Sequence, residues 1–447
     1  MSDPFAAYAE KRDRLAAQLH EGEGIVGLAK DTSNLFRDRA DISKRALDVR
    51  EFRSVLQIDR EAGFVEAEGM VPYELLVDAC LKHRAMPAVV PELKTITLGG
   101  AVAGVGVESS SHRYGLVHET VLELEVLTGD GRILVCRPDN EYADLFYGLP
   151  NSYGTLGYAL RVKARTAPVQ PFVHIEHVPF TDPQAFFEEL GQRCSAGDAD
   201  FIDGTAFGPD RLYLTLGRFA QDAPYVSDYT YKNIYYRSIP AKHEDWLSVR
   251  DFIWRWDTDW FWCSKNLYAQ NPVVRRLLGR KRLGSRSYTR IMRWNSRIGL
   301  TQRLERMRGL HSESVIQDVD VPLTRAAEFL EFHAREIGIW PLWICPVGPR
   351  ENAARFALYP LRAETYVNFG FWDVIRTRVA RPPGHFNRMI EDKVIELCGI
   401  KSLYSQSFFA RQDFDRAYGG DAYYLLKEKY DPGRVFPELY DKCVLGH

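Results

Sequence analysis

Nowhere in the 447 residues do about 18 apolar residues run together, so no helix read from this sequence crosses a membrane. The N-terminal stretch MSDPFAAYAEKRDRLAAQLHEGEG spreads charge through every turn and has no apolar centre like that of a signal peptide. Cysteine is sparse. The seven present, Cys80, Cys136, Cys194, Cys263, Cys345, Cys398 and Cys443, are odd in number and show no CxxC or other close spacing. That pattern argues against a disulfide framework and against a zinc site, and it leads to the expectation of a reducing, cytoplasmic setting with no bound metal. Net charge is only -2, which excludes a polyanion binder acting through overall charge; no nucleic-acid partner is expected. A strand-turn-helix GxGxxG is missing, so a Rossmann site is not expected. Internal repeats and low-complexity tracts are absent as well.

The chain is too long for one core, and two domains are expected. Hydrophobic residues at 45% and charged residues at 26% are ordinary globular values. The most informative stretch runs from Pro91 to Tyr158. It begins PELKTITLGGAVAGVGVESSSHRYG and ends near GTLGY. Glycines at this density let backbone approach a flat or phosphorylated ligand and turn N–H groups toward it.

A Gly-Gly pair, a second glycine cluster, RYG, a hairpin across Gly129-Asp130-Gly131 and the later GTLG together resemble the flavin domain of the vanillyl-alcohol-oxidase-like flavoproteins. Within that superfamily, ESSSHRYG, DLFYGLP, GTLG, WPLWICP and FPELYDKC are most similar to the Δ24-sterol reductases and their bacterial relatives. The resemblance covers nearly the whole chain. It implies an α+β fold, with a two-subdomain FAD-binding domain over 1–170 and an antiparallel-sheet α/β cap over 171–400. A C-terminal segment, 401–447, would return to the FAD domain. It also assigns cofactor contacts. Lys30, Thr32, Ser33 and Asn34 occupy the first diphosphate loop, although a capped turn would use the same residues. Thr97, Gly99, Gly100, Gly104, Gly106, Ser109, Ser110, Ser111 and Gly115 would follow the diphosphate and ring, and Gly154, Thr155 and Gly157 would close the other side. The superfamily's commonest covalent linkage uses a histidine in the first loop, and Gly27 to Arg37 contains none. Noncovalent FAD is therefore expected.

Local patterns outline the elements. Pro4 to His20 reads as a helix with Tyr8, Leu15, Ala16 and Leu19 on one side. SVLQIDREAGFVEAEG and TVLELEVLTGDGRILVC read as hairpins. Between them, VPYELLVDACLKHR reads as a helix that buries Leu75, Leu76, Ala79 and Cys80. Pro168 and Pro171 mark a boundary near residue 170. Beyond it HIEHVPF and DRLYLTLGRF read as strands, DPQAFFEELGQRC and RPPGHFNRMIEDKVIELCG as helices, and SVIQDVDVPL and WPLWICPVG as adjacent strands near the ligand cleft.

Two stretches of the cap stand out. DFIWRWDTDWFWC packs Trp254, Trp256, Trp260, Phe261 and Trp262 together, either as a hydrocarbon pocket or as core filling. From Arg275 to Arg297 there are nine basic residues and no acidic one, with Leu277, Leu278, Leu283, Tyr288, Ile291, Met292 and Trp294 interleaved. That composition suits an amphipathic segment on an anionic membrane surface; a nucleotide 2′-phosphate pocket, RNA or a solvated face are the alternatives. The chain would then be cytoplasmic and peripherally membrane-bound, with its oligomeric state unspecified.

The resemblance points to FAD-dependent reduction of an unactivated C=C bond in a lipid, with NADPH as electron donor. A methylene-branched fatty acyl chain of a phospholipid, reduced to a methyl branch, is the favoured substrate. Sterol side-chain reduction, flavin-dependent dehydrogenation or oxidation of a lipid or alcohol, and a merely structural flavin are the alternatives. An isolated alkene has no carbonyl to accept electron density, so protonation to a tertiary cation followed by hydride transfer is the route the chemistry allows. Aromatic faces stabilise such a cation by about 2 kcal/mol each in a desolvated site. His112 is the first candidate for the acid, followed by Glu108, Tyr404 and His385.

Overall fold

Two antiparallel sheets and the helices on them account for most of the chain. The structure, a computed structural model, describes residues 3–31, 36–37, 44–298, 309–362 and 365–446, the side chains of 292–298 excepted. The first helix, Pro4–His20, starts with a proline in its first turn, and the Asp3 carboxylate accepts from the Phe5 N–H. Tyr8, Leu15 and Leu19 are its buried side. β1 (Val26–Ala29) and β2 (Arg45–Asp48) follow and pair in parallel.

The larger N-terminal sheet contains β3 (Val55–Asp59), β4 (Phe64–Glu68), β5 (Ala85–Pro87), β6 (Val121–Leu127), β7 (Ile133–Cys136) and β8 (Tyr158–Pro168). Its order is β3-β4-β8-β6-β7, with β5 also on β8. Both hairpin turns use a left-handed glycine, Gly63 at φ +71° and Gly131 at φ +81°. The helix Tyr73–Leu81 buries Tyr73, Leu76, Val77 and Cys80, whereas Leu75 is exposed. Its inward side is thus turned from the predicted Leu75–Leu76–Ala79–Cys80 face, because Tyr73 and Val77 extend the stripe one turn apart on the other flank.

The second sheet holds β9 (Phe172–Phe180), β10 (Phe201–Gly208), β11 (Arg211–Ala220), β12 (Glu244–Ser248), β13 (His311–Pro322), β14 (Leu342–Val347), β15 (Tyr366–Thr377) and β16 (Ile400–Lys401). The order is β12-β9-β11-β10-β14-β15-β13-β16. SVIQDVDVPL (in β13) and WPLWICPVG (around β14) are therefore not neighbours: β15 lies between them and pairs with both. Its sequence, YVNFGFWDVIRT, is buried at six successive positions and lacks the alternation that marks a half-solvated strand. Helices Pro183–Ala196, Ala326–Phe332 and His385–Glu396 cover one side, where Phe186, Phe187, Phe329 and Phe369 interlock. The other side faces the N-terminal sheet.

After β16 the chain crosses back. Lys427, in helix Gly420–Tyr430, donates to the Thr155 carbonyl at 2.7 Å and to Asp431 at 2.6 Å. Val26 N–H donates to the Val435 carbonyl, and Phe436 packs edge-on against Tyr158 at 4.7 Å.

Candidate active site

A cavity of about 480 Å³ opens between the two sheets, within the usual range for a ligand site. One wall is mostly backbone. Thr97 caps the short helix Leu98–Ala103 by accepting from the Gly100 N–H at 3.3 Å, and Gly99, Gly100, Gly104 and Gly106 line the cavity behind it. Close packing requires several of these glycines. A Cβ on Gly104 would lie 2.9 Å from the Gly100 carbonyl oxygen, and one on Gly106 would lie 2.8 Å from Val117. Gly69, Gly154 and Gly157 complete the wall.

At one end four cationic residues, Lys30, Arg37, Lys44 and Lys442, line the cavity together. Lys442 donates to the Tyr153 carbonyl at 2.5 Å, and Arg37 lies 4.9 Å from the Tyr153 ring centre and against the Cys443 sulfur. Burial first, then the nearby Arg37, Lys30 and Lys44 charges, hold the Lys442 ammonium well below its ordinary pKa. Like charges gathered in this way lower one another's stability until an anion joins them. Lys44, Arg37 and Lys442 were not singled out in the sequence, since they come from three separated stretches.

The opposite wall is built of side chains. Trp260, Phe261, Trp343, Tyr359, Trp372 and Tyr404 line it, with Phe261 4.5 Å from Trp372 and 5.4 Å from Trp343 between ring centres. Of the tryptophan-rich stretch, Trp260 and Phe261 face the cavity, while Trp254, Trp256 and Trp262 fill core. Trp260, Phe261 and Trp262 all have left-handed backbone, with φ of +46°, +45° and +61°, and Val105 across the cavity has φ +79°. Strain of this kind costs on the order of 1–3 kcal/mol per residue and concentrates at functional sites. Among the aromatics are two acids of one strand, Asp318 and Asp320, spaced by two and so on the same side of β13. Asp320 accepts from Tyr359 at 2.6 Å and from Asn368 at 2.9 Å; burial pushes its pKa up to about 6. Asp318 is raised well above the carboxylate range, chiefly by burial, although a hydrogen bond from Tyr404 opposes the shift. Six buried atoms of lining residues have no protein partner: Glu92 Oε2, Tyr153 Oη, Asp318 Oδ1, Trp343 Nε1, Asn368 Oδ1 and Ser402 Oγ.

The predicted site residues divide clearly. Lys30, Thr97, Gly99, Gly100, Gly104, Gly106, Gly154, Gly157 and Tyr404 line the cavity. Thr32, Ser33 and Asn34 lie outside the described residues. The ESSSHRYG stretch sits elsewhere, as a seam between the two sheets. Ser109 gives its carbonyl to Ile202 N–H and its hydroxyl to Arg255; Ser110 donates to the Ala88 carbonyl; Ser111 accepts from Glu108 N–H. His112 is held by the carbonyls of Ser109 at 2.9 Å and Ala199 at 3.2 Å. Burial lowers its pKa, and with both ring nitrogens against backbone carbonyls it does not reach the cavity lining. Glu108 is bound to Arg255 at 2.8 Å, and Arg255 reaches Asp203 at 2.5 Å. Gly115 makes a turn at φ +73° over Glu119, and Thr155 spends its hydroxyl on the Ser152 carbonyl. His385 begins a helix outside the cavity lining. Short hydroxyl side chains suit a flavin loop and a backbone seam equally well, so the motif alone could not separate the two.

Comparison with known proteins bears on what fills this space. Residues 26–137 match the family model described as FAD binding domain, a span that includes Lys30, Arg37, Lys44 and the wall glycines Gly69, Gly99, Gly100, Gly104 and Gly106. These matches show an FAD-binding oxidoreductase whose fold is of the vanillyl-alcohol-oxidase type. It is 26% identical over 420 residues to the Delta(24)-sterol reductase of Homo sapiens, covering 87% of this chain and 75% of that protein. Against the Delta(24)-sterol reductase of Pisum sativum it is 26% identical over 440 residues, 90% and 76% of the two chains. A shorter match, 26% over 170 residues, links 37% of the chain to 32% of cytokinin dehydrogenase 7 from Oryza sativa subsp. japonica. FAD fits the residues present: the four cations suit its diphosphate, the glycine wall admits a flat ring, and the unpartnered Glu92, Asn368 and Ser402 atoms offer polar contacts to it.

Proposed function

We propose that this protein reduces an unactivated C=C bond in a membrane lipid, with noncovalent FAD and NADPH as electron donor. The favoured substrate is a methylene-branched fatty acyl chain of a phospholipid. The observation that carries the reading is continuity between the aromatic wall and an exposed basic segment. Tyr288 stacks on Trp260 at 6.1 Å with the rings 5° from parallel, and Leu93 and Ala269 complete that cluster. Tyr288 belongs to the helix Ser285–Ile298, so the basic segment rests directly on the cavity wall.

The segment is sorted by sign and depth. Arg275 is buried and held by Asp259 at 2.6 Å, Arg280 pairs with Asp228, and Arg286 pairs with Glu74. Arg276, Lys281, Arg282 and Arg290 are exposed beside exposed Tyr268, Val273, Leu277 and Ile291. Arg293 and Arg297 carry side chains outside the described set. Cations flanking apolar side chains are what an anionic bilayer surface binds. Among the described residues no helix is long and apolar enough to cross a membrane.

Bound and reduced, FAD supplies a hydride. The chain's own part is to exclude water, to offer aromatic faces to a developing cation, and to deliver a proton. Trp260, Phe261, Trp343 and Trp372 provide the faces. No histidine or cysteine is among the described lining residues, which supports noncovalent attachment. Reduction of a sterol side chain is the second reading, favoured by the reductases that align over most of the chain. The test is to incubate the purified protein with NADPH and liposomes containing a methylene-branched acyl phospholipid, or a sterol with a side-chain alkene. Lipid mass spectrometry should show gain of H2 in the first, with stoichiometric NADPH loss. Gain in the sterol alone would transfer the assignment, and oxygen uptake with desaturation would reverse its direction. Acid precipitation should release all flavin as FAD.

A further inference from the structure

Every titratable group that the expected mechanism had nominated except Tyr404 is turned away from the cavity, so the proton must come from a group the sequence did not single out. Three acids reach the lining: Asp320, which is buried, and Glu92 and Asp318, which are half-buried. Asp320 has both oxygens occupied, by Tyr359 and Asn368. Glu92 accepts from the Trp256 N–H, and the nearby Arg255 guanidinium favours its ionised form, which suits a donor poorly. Asp318 remains. Its Oδ1 has no protein partner, and it stands beside Trp372 on the wall that would face a hydrocarbon.

The surroundings of Asp318 are arranged around that carboxyl. Trp372 donates its indole N–H to the Tyr404 oxygen at 2.7 Å. With that lone pair used, the Tyr404 hydroxyl proton is free to point at Asp318, and Tyr404 does hydrogen-bond to it. Gly370 on the adjoining β15 leaves the room: a Cβ there would lie 2.8 Å from Asp318 Oδ1 and 2.5 Å from the Trp372 ring.

We propose that Asp318 is the proton donor to the lipid alkene, with Tyr404 and Trp372 as residues that position it. This step rests on the reductase reading above. The Asp318 O–H bond breaks, the alkene π pair forms a C–H bond to the less substituted carbon, and the branched carbon becomes a tertiary cation. A bound, reduced FAD would supply the hydride that balances the addition at that carbon, with NADPH as the reductant. The carboxylate left on Asp318 keeps the Tyr404 hydrogen bond until it regains a proton from solvent. The titratable groups facing it are Tyr404, Asp320 two residues along the strand, and Tyr153 from the N-terminal sheet side. Asp320, a like charge when ionised, and burial both favour the protonated form that a donor needs.

The experiment uses the holoenzyme with Asp318→Asn, which keeps the shape of the side chain, and Tyr404→Phe. Infrared difference spectra at neutral pH should show a protonated-carboxyl band in the wild type that Asp318→Asn removes, independent of turnover. Reduction of bound flavin by NADPH should be unchanged in Asp318→Asn, while reoxidation of the reduced enzyme by the alkene lipid should slow about 10²- to 10⁴-fold. In deuterated water the wild-type product should carry one solvent deuterium on the former methylene carbon. Tyr404→Phe removes the bond that lowers the Asp318 pKa, so the alkaline limb of reoxidation should move to higher pH. An Asp318→Asn enzyme reoxidised at the wild-type rate, or a wild type without the acid band, overturns the proposal. A wild type inert toward every alkene lipid overturns the reductase reading itself, a different outcome from a reactive wild type with an unslowed variant.

Discussion

The two walls of the cavity are made by different means. The N-terminal wall is glycine backbone plus four cations drawn from residues 30, 37, 44 and 442. The cap wall is a patch of side chains from three strands, one strained turn and the connections that carry Tyr359 and Tyr404, nearly all aromatic, with two acids among them. One is suited to holding a constant, charged, planar group. The other is suited to a substrate without charge, and on it the acids stand out chemically. Binding and reactivity are thereby separated in space, so each can be altered without the other.

The largest effect should come from filling the backbone wall. Gly100 faces the cavity, and a side chain there meets Thr97 Oγ1 at 2.7 Å from its Cβ alone. Gly100→Trp is expected to lose FAD entirely while retaining its far-ultraviolet circular dichroism; full flavin absorbance per protein in that variant would refute the placement of the cofactor. Replacing Arg280, Lys281 and Arg282 by Glu, on the cap side, should leave flavin content intact. It should weaken binding to anionic liposomes by roughly 3 kcal/mol or more, at about 1 kcal/mol per basic residue lost near the surface, with high salt mimicking the change. Sedimentation with vesicles measures both.

A pH prediction concerns the layer behind the cap wall. His333 is buried among Phe329, Trp340 and Phe371 with both ring nitrogens unpartnered, and burial pushes its pKa down to about 3. A base depressed in the folded state contributes stability that is present above about pH 6.5 and is lost as pH falls toward the folded value. His333→Phe should therefore gain on the wild type in acid, by roughly 2.5 kcal/mol between pH 7.5 and 4.5. Urea unfolding at the two pH values decides it, and parallel curves would mean the ring is solvated. The smallest effect, about 2 kcal/mol in FAD affinity, is expected for Lys442→Met. The diphosphate should raise the depressed ammonium pKa, so wild-type binding takes up a proton and weakens as pH rises. Calorimetry in two buffers of different ionisation enthalpy reads that uptake, which Lys442→Met should abolish.

The same difference between the walls explains what could be read from the sequence. Hairpins, the first helix and the glycine wall are local: a turn glycine or a Gly-Gly pair determines them within a few residues. The cap wall is assembled from β13, β14 and β15, which meet only after long connections. The first six residues of β15 are buried on both faces and so carry no period-two signal. Asp318 had one available mark, two acids at i and i+2 in an otherwise apolar strand. His112, by contrast, owed its prominence to the serines beside it, and those serve the seam. The cation cluster was half legible, since Lys30 lies in the expected loop but Lys442 arrives with the C-terminal return.

The stack of Tyr288 on Trp260 bears on how an oily molecule would travel. Bringing an acyl chain through water costs about 0.8 kcal/mol for every methylene exposed, so ten exposed carbons would cost roughly 8 kcal/mol. A residue that belongs at once to the basic helix and to the cavity wall leaves no aqueous gap between them. A bilayer resting on that helix would meet the opening edge to edge, and the chain could slide from one oil to another with its headgroup still among its neighbours.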